Sequence, residues 1–316
     1  MSIGLIIEGG GMRGIFCAGV LDFFMDHDIR FRNVLAVSAG ACNAVSYVCN
    51  QRGRAWVTST DYLDNPEFCS LKSLRKTGDM FGADFLYHKI PEELYPIDNK
   101  TFLESGIKFQ PVITNCITGK PEYPVMKDLS KDMEYIRASS SLPILANMVP
   151  LDGYVYMDGG ITDSIPIKQS IRQGNKKNVV LLTRPLGYRK NPFQPLTPLF
   201  RTVYRRYPRM LEALKNRNRV YNDTLEFLEM EVEDGNVFAI APMGDLGIGR
   251  TETNVEKLKK GYEEGYYVAE GLAKKLAAFM AEAEEDAGGA GAVGAEAPEE
   301  AASASSAETG AGPEEI

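Results

Sequence analysis

The sequence is short of the residues that metal and disulfide chemistry require. His27 and His88 are its only imidazoles, and Cys17, Cys42, Cys49, Cys69 and Cys116 form an odd set without Cys-x-x-Cys spacing. Neither a zinc site nor a disulfide framework is expected. No basic stretch followed by an apolar core opens the chain, and no apolar run approaches the roughly 20 residues that span a bilayer. A reduced, cytoplasmic setting without signal peptide or membrane span is the reading. An excess of positive charge is also missing. The formal charge is -8, but nine acids and no Lys or Arg lie from Ala283 onward, which leaves the rest of the chain near neutrality. Nothing in that balance points to nucleic acid.

What is there is an ordinary globular composition, 44% hydrophobic and 25% charged over 316 residues. Residues 1–282 read as one domain. Residues 283–316 are Ala, Gly, Glu, Ser and Pro with almost no large side chains, and read as a disordered acidic tail. Ile3 to Glu8 is a short β-branched run and reads as a buried strand. Gly9 to Gly14 interrupts it, and apolar residues at helical spacing then run to about His27-Asp28. Val34 to Val37 is a second strand, followed at Ser38 by small residues that open a helix through about Tyr47. Two strands joined by such a helix imply a parallel sheet.

Further along, Arg52 to Asn99 is irregular and aromatic and reads as an insertion. Lys108–Thr118 and Glu122–Met126 look like paired strands around a turn at Gly119-Lys120-Pro121. A helix from Ser130 to Ser140, a strand from Tyr154 to Met157, a buried strand from Asn178 to Leu182, a basic helical stretch from Leu196 to Leu228 and a terminal helix from Val255 to Ala281 complete the pattern.

Three motifs carry chemistry. Gly9-Gly10-Gly11-Met12-Arg13-Gly14 lies between a strand and a helix, where bare backbone N–H groups can converge at the positive end of the helix. That geometry suits an oxyanion, and read literally it is also the G-x-G-x-x-G dinucleotide fingerprint; alone, the loop leaves both open. A dinucleotide site calls for an acid at the end of the second strand. The chain has Ala36-Val37-Ser38-Ala39-Gly40 instead, the shape of a nucleophile elbow with Ala in place of the first glycine. Asp158-Gly159-Gly160 closes another strand, and carboxyl ends of parallel strands share one edge. Gly10, Ser38 and Asp158 are therefore expected to meet.

These three motifs, with Ala138-Ser139-Ser140-Ser141-Leu142-Pro143, resemble the patatin-like phospholipase family in order over residues 1 to about 185, and the stretch from Thr183 to Gly265 is similar to a bacterial branch of it. The resemblance implies a three-layer α/β/α fold with a mainly parallel sheet, a Ser38–Asp158 dyad in place of a triad, and hydrolysis of fatty-acyl esters by a phospholipase A or lysophospholipase-like carboxylic ester hydrolase. No cofactor or metal is implied. The expected partners are a lipid or acyl-ester substrate and, transiently, a membrane surface.

The residues support the same chemistry on their own. His27 sits at the far end of the first helix and His88 in the insertion, so neither has a strand-end position from which to serve Ser38. A carboxylate in a water-poor pocket gains basicity, which suits Asp158. The N–H groups of Gly10 and Gly11 would hold the oxyanion, with Arg13 drawing an anionic head group or bracing the loop. Asp163 reads as a helix cap near Pro166. The basic stretch from Arg201 to Arg219 reads first as a solvated helix face and second as a contact with anionic lipid. Met126, Met133, Met148 and Met157 read as core. Two rival functions remain: a catalytically silent lipid-binding protein, and a nucleotide-binding protein using the Gly9–Gly14 loop.

Overall fold

Alternation along the first strand divides the molecule into layers. In β1 (Ile3–Ile7), Leu5 and Ile7 pack into one core cluster and Ile6 into another on the opposite face, as a period of two requires when both faces are covered. The computed structural model describes residues 3–193 and 195–289. Its sheet continues with β2 (Asn33–Val37), β3 (Lys108–Asn115), β4 (Lys120–Glu122), β5 (Val149–Leu151), β6 (Tyr154–Asp158), β7 (Lys177–Leu181) and β8 (Val237–Ile240). The strand order is β5-β6-β3-β2-β1-β7-β8, with β4 paired to β3. The pairs from β3 through β8 are parallel, while β4, β5 and β6 pair antiparallel at the other edge.

Helices cover both faces. α1 (Ile15–Asp26) and α2 (Ala39–Val48) lie on one side. The insertion holds α3 (Arg54–Thr60), α4 (Leu71–Thr77) and a wide π-type turn at Phe85–Leu94. After them come α5 (Asn99–Ser105), α6 (Leu129–Ser140), α7 (Ile167–Arg172), α8 (Pro198–Val203), α9 (Pro208–Glu233) and α10 (Val255–Gly289). Residues of α1, α2, α6 and α10 share the first core cluster with Leu5 and Ile7; residues of α9 join Ile6, Val180 and Leu182 in the second. This is the expected three-layer α/β/α arrangement with a mainly parallel sheet.

α1 and α10 touch backbone to backbone. A methyl at Gly19 would lie 2.0 Å from the Tyr262 carbonyl oxygen, and one at Gly265 would lie 2.0 Å from that of Phe16. Asp22, buried in α1, receives the hydroxyl of Tyr262 at 2.5 Å and the N–H of Gly53. Phe16, Phe23 and Phe24 of α1 are fully buried, and removing any one ring typically costs about 3–5 kcal/mol.

Several sequence expectations are corrected. β4 occupies Lys120–Glu122, part of the stretch read as a turn, and residues 123–126 are not strand. The basic stretch is two helices, because Pro208 starts α9 where its missing N–H costs nothing. β8 and β5 were not anticipated. The boundary expected after residue 282 falls inside α10, where Ala283 is buried; the remainder of the acidic tail, from 290, lies outside the described residues. Asp163 caps no helix with its side chain but accepts the Tyr123 hydroxyl at 2.7 Å. Met126, Met133 and Met157 are buried, and Met148 packs partly buried.

Candidate active site

Ser38 sits on a turn between β2 and α2 at φ 55°, ψ -129°, a conformation costing a non-glycine residue about 1–3 kcal/mol. The turn fits because the neighbours are small. A Cβ at Gly40 would meet the Glu8 and Ile7 carbonyl oxygens at 2.6 and 2.7 Å, and one at Gly9 would meet Ser38 Cβ at 2.7 Å. Ala36 is fully buried within β2 and leaves this geometry intact. The Ser38 side chain does not cap α2. Its hydroxyl instead donates to Asp158 Oδ2 at 2.6 Å, while its N–H donates to Ser139 Oγ at 2.9 Å. The small-residue segment thus braces both partners, since the Asp158 N–H donates to the Ser141 carbonyl at 2.9 Å.

Asp158 reaches Ser38 by a different route from the one the sequence suggests. β6 runs antiparallel to β3, and Asp158 pairs with Ile113, one residue past the Val37–Val112 pair. β3 is long enough to overshoot its parallel neighbours, so a strand descending along its far half stops level with the end of β2. The reversal comes from the β5–β6 hairpin, whose two loop residues Asp152 and Gly153 both have positive φ, the conformation a tight hairpin favours. Gly159 turns the chain away where a Cβ would strike the Val112 carbonyl at 2.1 Å. The Gly160 N–H then returns to Asp158 Oδ1 at 2.7 Å.

Asp158 is 2% exposed. Burial pushes its carboxyl above the usual range, opposed by the Arg217 guanidinium, the Ser38 hydroxyl and the Gly160 N–H. Arg217 was read as part of a solvated face. It projects inward from α9 and its Nε donates to the Gly160 carbonyl.

In the glycine loop, Gly11 has φ +59°, and a Cβ there would lie 2.5 Å from the Arg250 carbonyl oxygen. That carbonyl takes the Met12 N–H at 3.1 Å. A 3-10 turn begins at Gly11, so its first N–H groups have no partner within the turn. Gly10, Gly11 and Arg13 all line the cavity that Ser38 and Asp158 share. The histidines lie elsewhere: His27 bonds the Phe23 carbonyl at the far end of α1, and His88 pairs with Glu92 and Glu134 in the insertion.

Ser38, Gly11 and Leu142 stand on the wall between two chambers. One, of about 150 Å³, is walled largely by apolar groups including Ile15, Leu86, Ile90 and Met133. The other, of about 290 Å³, is polar and holds Arg13, Arg184, Lys190, Arg217 and Arg250 against Glu8 and Asp158. Glu8 directly follows β1 with its carboxylate buried, accepting from the Thr183 N–H and hydroxyl and from the Tyr221 hydroxyl at 2.8 Å. Apart from Arg13, none of these cations was singled out from the sequence as a site residue. Among the described residues no helix is long and apolar enough to cross a membrane.

The profile of the patatin-like phospholipase family matches residues 5–171, and that of a domain of unknown function (DUF6363) matches residues 207–281. The chain is 30% identical over 273 residues to the Uncharacterized protein YjjU of Escherichia coli (strain K12), covering 83% of this chain and 74% of that one. It is 23% identical over 188 residues to the Probable lipid hydrolase 463L of Invertebrate iridescent virus 6, covering 55% of this chain and 65% of that one. Among solved structures, VipD from Legionella pneumophila aligns over 87% of this chain and 67% of its own, at 13% identity and a TM-score of 0.43.

Proposed function

The chain belongs to the patatin-like phospholipase family, and on that premise we propose that it is a serine acyl hydrolase that cleaves fatty-acyl esters of lipids. The 2.6 Å contact between Ser38 Oγ and Asp158 Oδ2 carries the reading. In this scheme Ser38 Oγ attacks the ester carbonyl carbon as its proton passes to Asp158. The tetrahedral oxyanion is held by the Gly10 and Gly11 N–H groups, where one such donor is typically worth about 3 kcal/mol. Collapse breaks the carbon–oxygen bond, Asp158 returns the proton to the departing alcohol, and the acyl group stays on Ser38. Water then gives a proton to Asp158 and attacks the acyl carbon, which releases the fatty acid and restores the Ser38 hydroxyl.

The raised affinity of Asp158 for a proton favours this role, because an ordinary aspartate is too weak a base. The remote histidines support a dyad rather than a triad. The apolar chamber beside Ser38 suits an acyl chain. Because Arg184, Lys190, Arg217 and Arg250 join the wall, residues through α10 form one hydrolase domain in this reading. A cytoplasmic enzyme in transient contact with a membrane surface fits it, without metal or organic cofactor.

The test is a fluorophosphonate probe followed by mapping of the labelled residue. Label on Ser38, lost in Ser38→Ala, is the expected result; label on another residue, or none, removes the proposal.

A further inference from the structure

We infer that the apolar chamber beside Ser38 accepts an acyl group with a carboxylate at its far end, held there by Arg54. The inference deepens the acyl hydrolase reading and rests on it for the seating of the acyl chain; the carboxylate site itself is testable without hydrolysis.

A charge stands where an acyl chain alone would want none. Arg54 is the first residue of α3, and it lines the chamber together with Ile15, Leu86, Ile90 and Met133. It is the one charged residue in that wall, which contains no Asp, Glu or Lys. Only 5% of Arg54 is exposed, and no carboxylate pairs with it among the described residues. The groups that act on its charge are the thiols of Cys42 and Cys49 and the phenols of Tyr62 and Tyr95. Burial pushes both thiols up, Cys49 to about 12, so neither supplies a counter-ion. Burial also lowers the pKa of Arg54, but a guanidinium starts so high that it stays protonated. Unpaired charge away from water is costly, and an anion brought in by a ligand removes that cost.

A donor is left open as well. Arg54 Nη2 donates to the Tyr95 carbonyl at 3.1 Å, and the guanidinium carbon lies 5.7 Å from the centre of the Tyr95 ring. Those contacts fix the group in place but engage one nitrogen. Its Nε is buried and has no hydrogen-bond partner, and a buried donor without a partner forfeits its hydration for nothing. A carboxylate is the anion that a guanidinium meets edge-on, through Nε and a neighbouring Nη.

Charge balance and size narrow the ligand. One guanidinium among apolar walls neutralises one negative charge, which fits a carboxylate and not a dianion. The chamber has a volume of about 150 Å³, and a cavity of about that size admits benzene, so the matching acyl group is short, with about six carbons. Ser38 stands at the chamber wall. An acyl group attached there runs its methylenes along the apolar side chains and presents its second carboxylate to Arg54.

Binding and turnover are measured separately. Monomethyl adipate is titrated by calorimetry into the Ser38→Ala protein and into the same protein carrying Arg54→Gln or Arg54→Lys. Saturable binding is expected, weakened at least tenfold by Arg54→Gln and less by Arg54→Lys. Dimethyl adipate, similar in shape but uncharged, should bind the Ser38→Ala protein at least tenfold more weakly than the monoester. Absent binding overturns the site. So does binding indifferent to Arg54→Gln, which would put the carboxylate among the cations of the polar chamber. On wild-type protein, kcat/KM for p-nitrophenyl hydrogen adipate should exceed that for p-nitrophenyl hexanoate at least tenfold. Arg54→Gln should reverse that order through a rise in KM for the acid ester. Equal or slower turnover of the acid ester by wild type overturns the proposal whether or not the variants fold. Arg54-dependent binding in a protein that hydrolyses neither ester would sink the hydrolase reading and leave the carboxylate site standing, so the two fail separately.

Discussion

Arg217 lies against Gly160, its Nε donating to the carbonyl two residues beyond Asp158, so the charge of α9 acts directly on the carboxylate that receives the Ser38 hydroxyl. If Asp158 works as a base, it must be ionised. Burial raises its pKa, so kcat/KM should fall on the acid side at a pH above 3.8, the value of an unperturbed aspartate. Arg217 opposes that rise, and Arg217→Met should move the acid limb further up. Arg217→Lys should restore part of the shift. A pH–rate profile of the three proteins decides; an unmoved limb in Arg217→Met would show that the arginine serves packing alone.

Ser38→Ala should lower hydrolysis of short p-nitrophenyl esters by about three orders of magnitude or more with an unchanged melting curve, and Asp158→Asn should be about as damaging, since the pair acts as a unit. His27→Gln together with His88→Gln should remain within a few-fold of wild type. Activity lost in the histidine variant while Asp158→Asn still turns over would mean a triad instead.

Gly265→Ala should destabilise the fold by about 3 kcal/mol, because the new methyl meets the Phe16 carbonyl oxygen at 2.0 Å and that oxygen is fixed in the backbone of α1. Differential scanning calorimetry should show a melting temperature several degrees lower. Gly271→Ala on the same helix has open space and should be neutral or stabilising; equal losses at both positions would contradict the close crossing.

Ala36→Gly would restore the first glycine of the elbow pattern. With Ala36 buried inside β2 and the Ser38 turn already formed, it should cost about 0.5–1 kcal/mol of stability and bring no gain in kcat. A clear rise in kcat would show that the alanine strains the elbow.

Much of this arrangement is legible in the sequence because it depends on local punctuation. The strand–glycine–helix unit, the small residues around Ser38 and the Asp-Gly-Gly turn each follow from sterics over a few residues. The direction of β6 does not: a period of two is the same in either direction, and Asp158 was brought to Ser38 on the assumption of a parallel strand. Leu151-Asp152-Gly153-Tyr154 held the missing signal, since Asp-Gly between short apolar runs is a hairpin mark. Arg217 was illegible for another reason. Within a run that includes Arg209, Lys215 and Arg219, nothing in spacing alone distinguishes an arginine aimed into a cavity from one in water; its fate is set by β6 and the Gly160 turn far away in the chain. β8 was missed because four residues are too few for periodicity to register.

The crossing of Gly19 and Gly265 also bears on how this protein can be re-engineered. α1 carries the glycine loop at its front end, α10 meets α1 backbone to backbone at Gly19 and Gly265, and the carbonyl of Arg250 just upstream anchors Met12. The late helix is thus part of the mounting for the earliest motif. A chimera that transplants residues 5–171 alone would carry the loop, Ser38 and Asp158 without the scaffold that fixes the loop's pitch. Exchanging the segment after β7 to alter ligand preference would, for the same reason, have to bring a glycine opposite Phe16 with it.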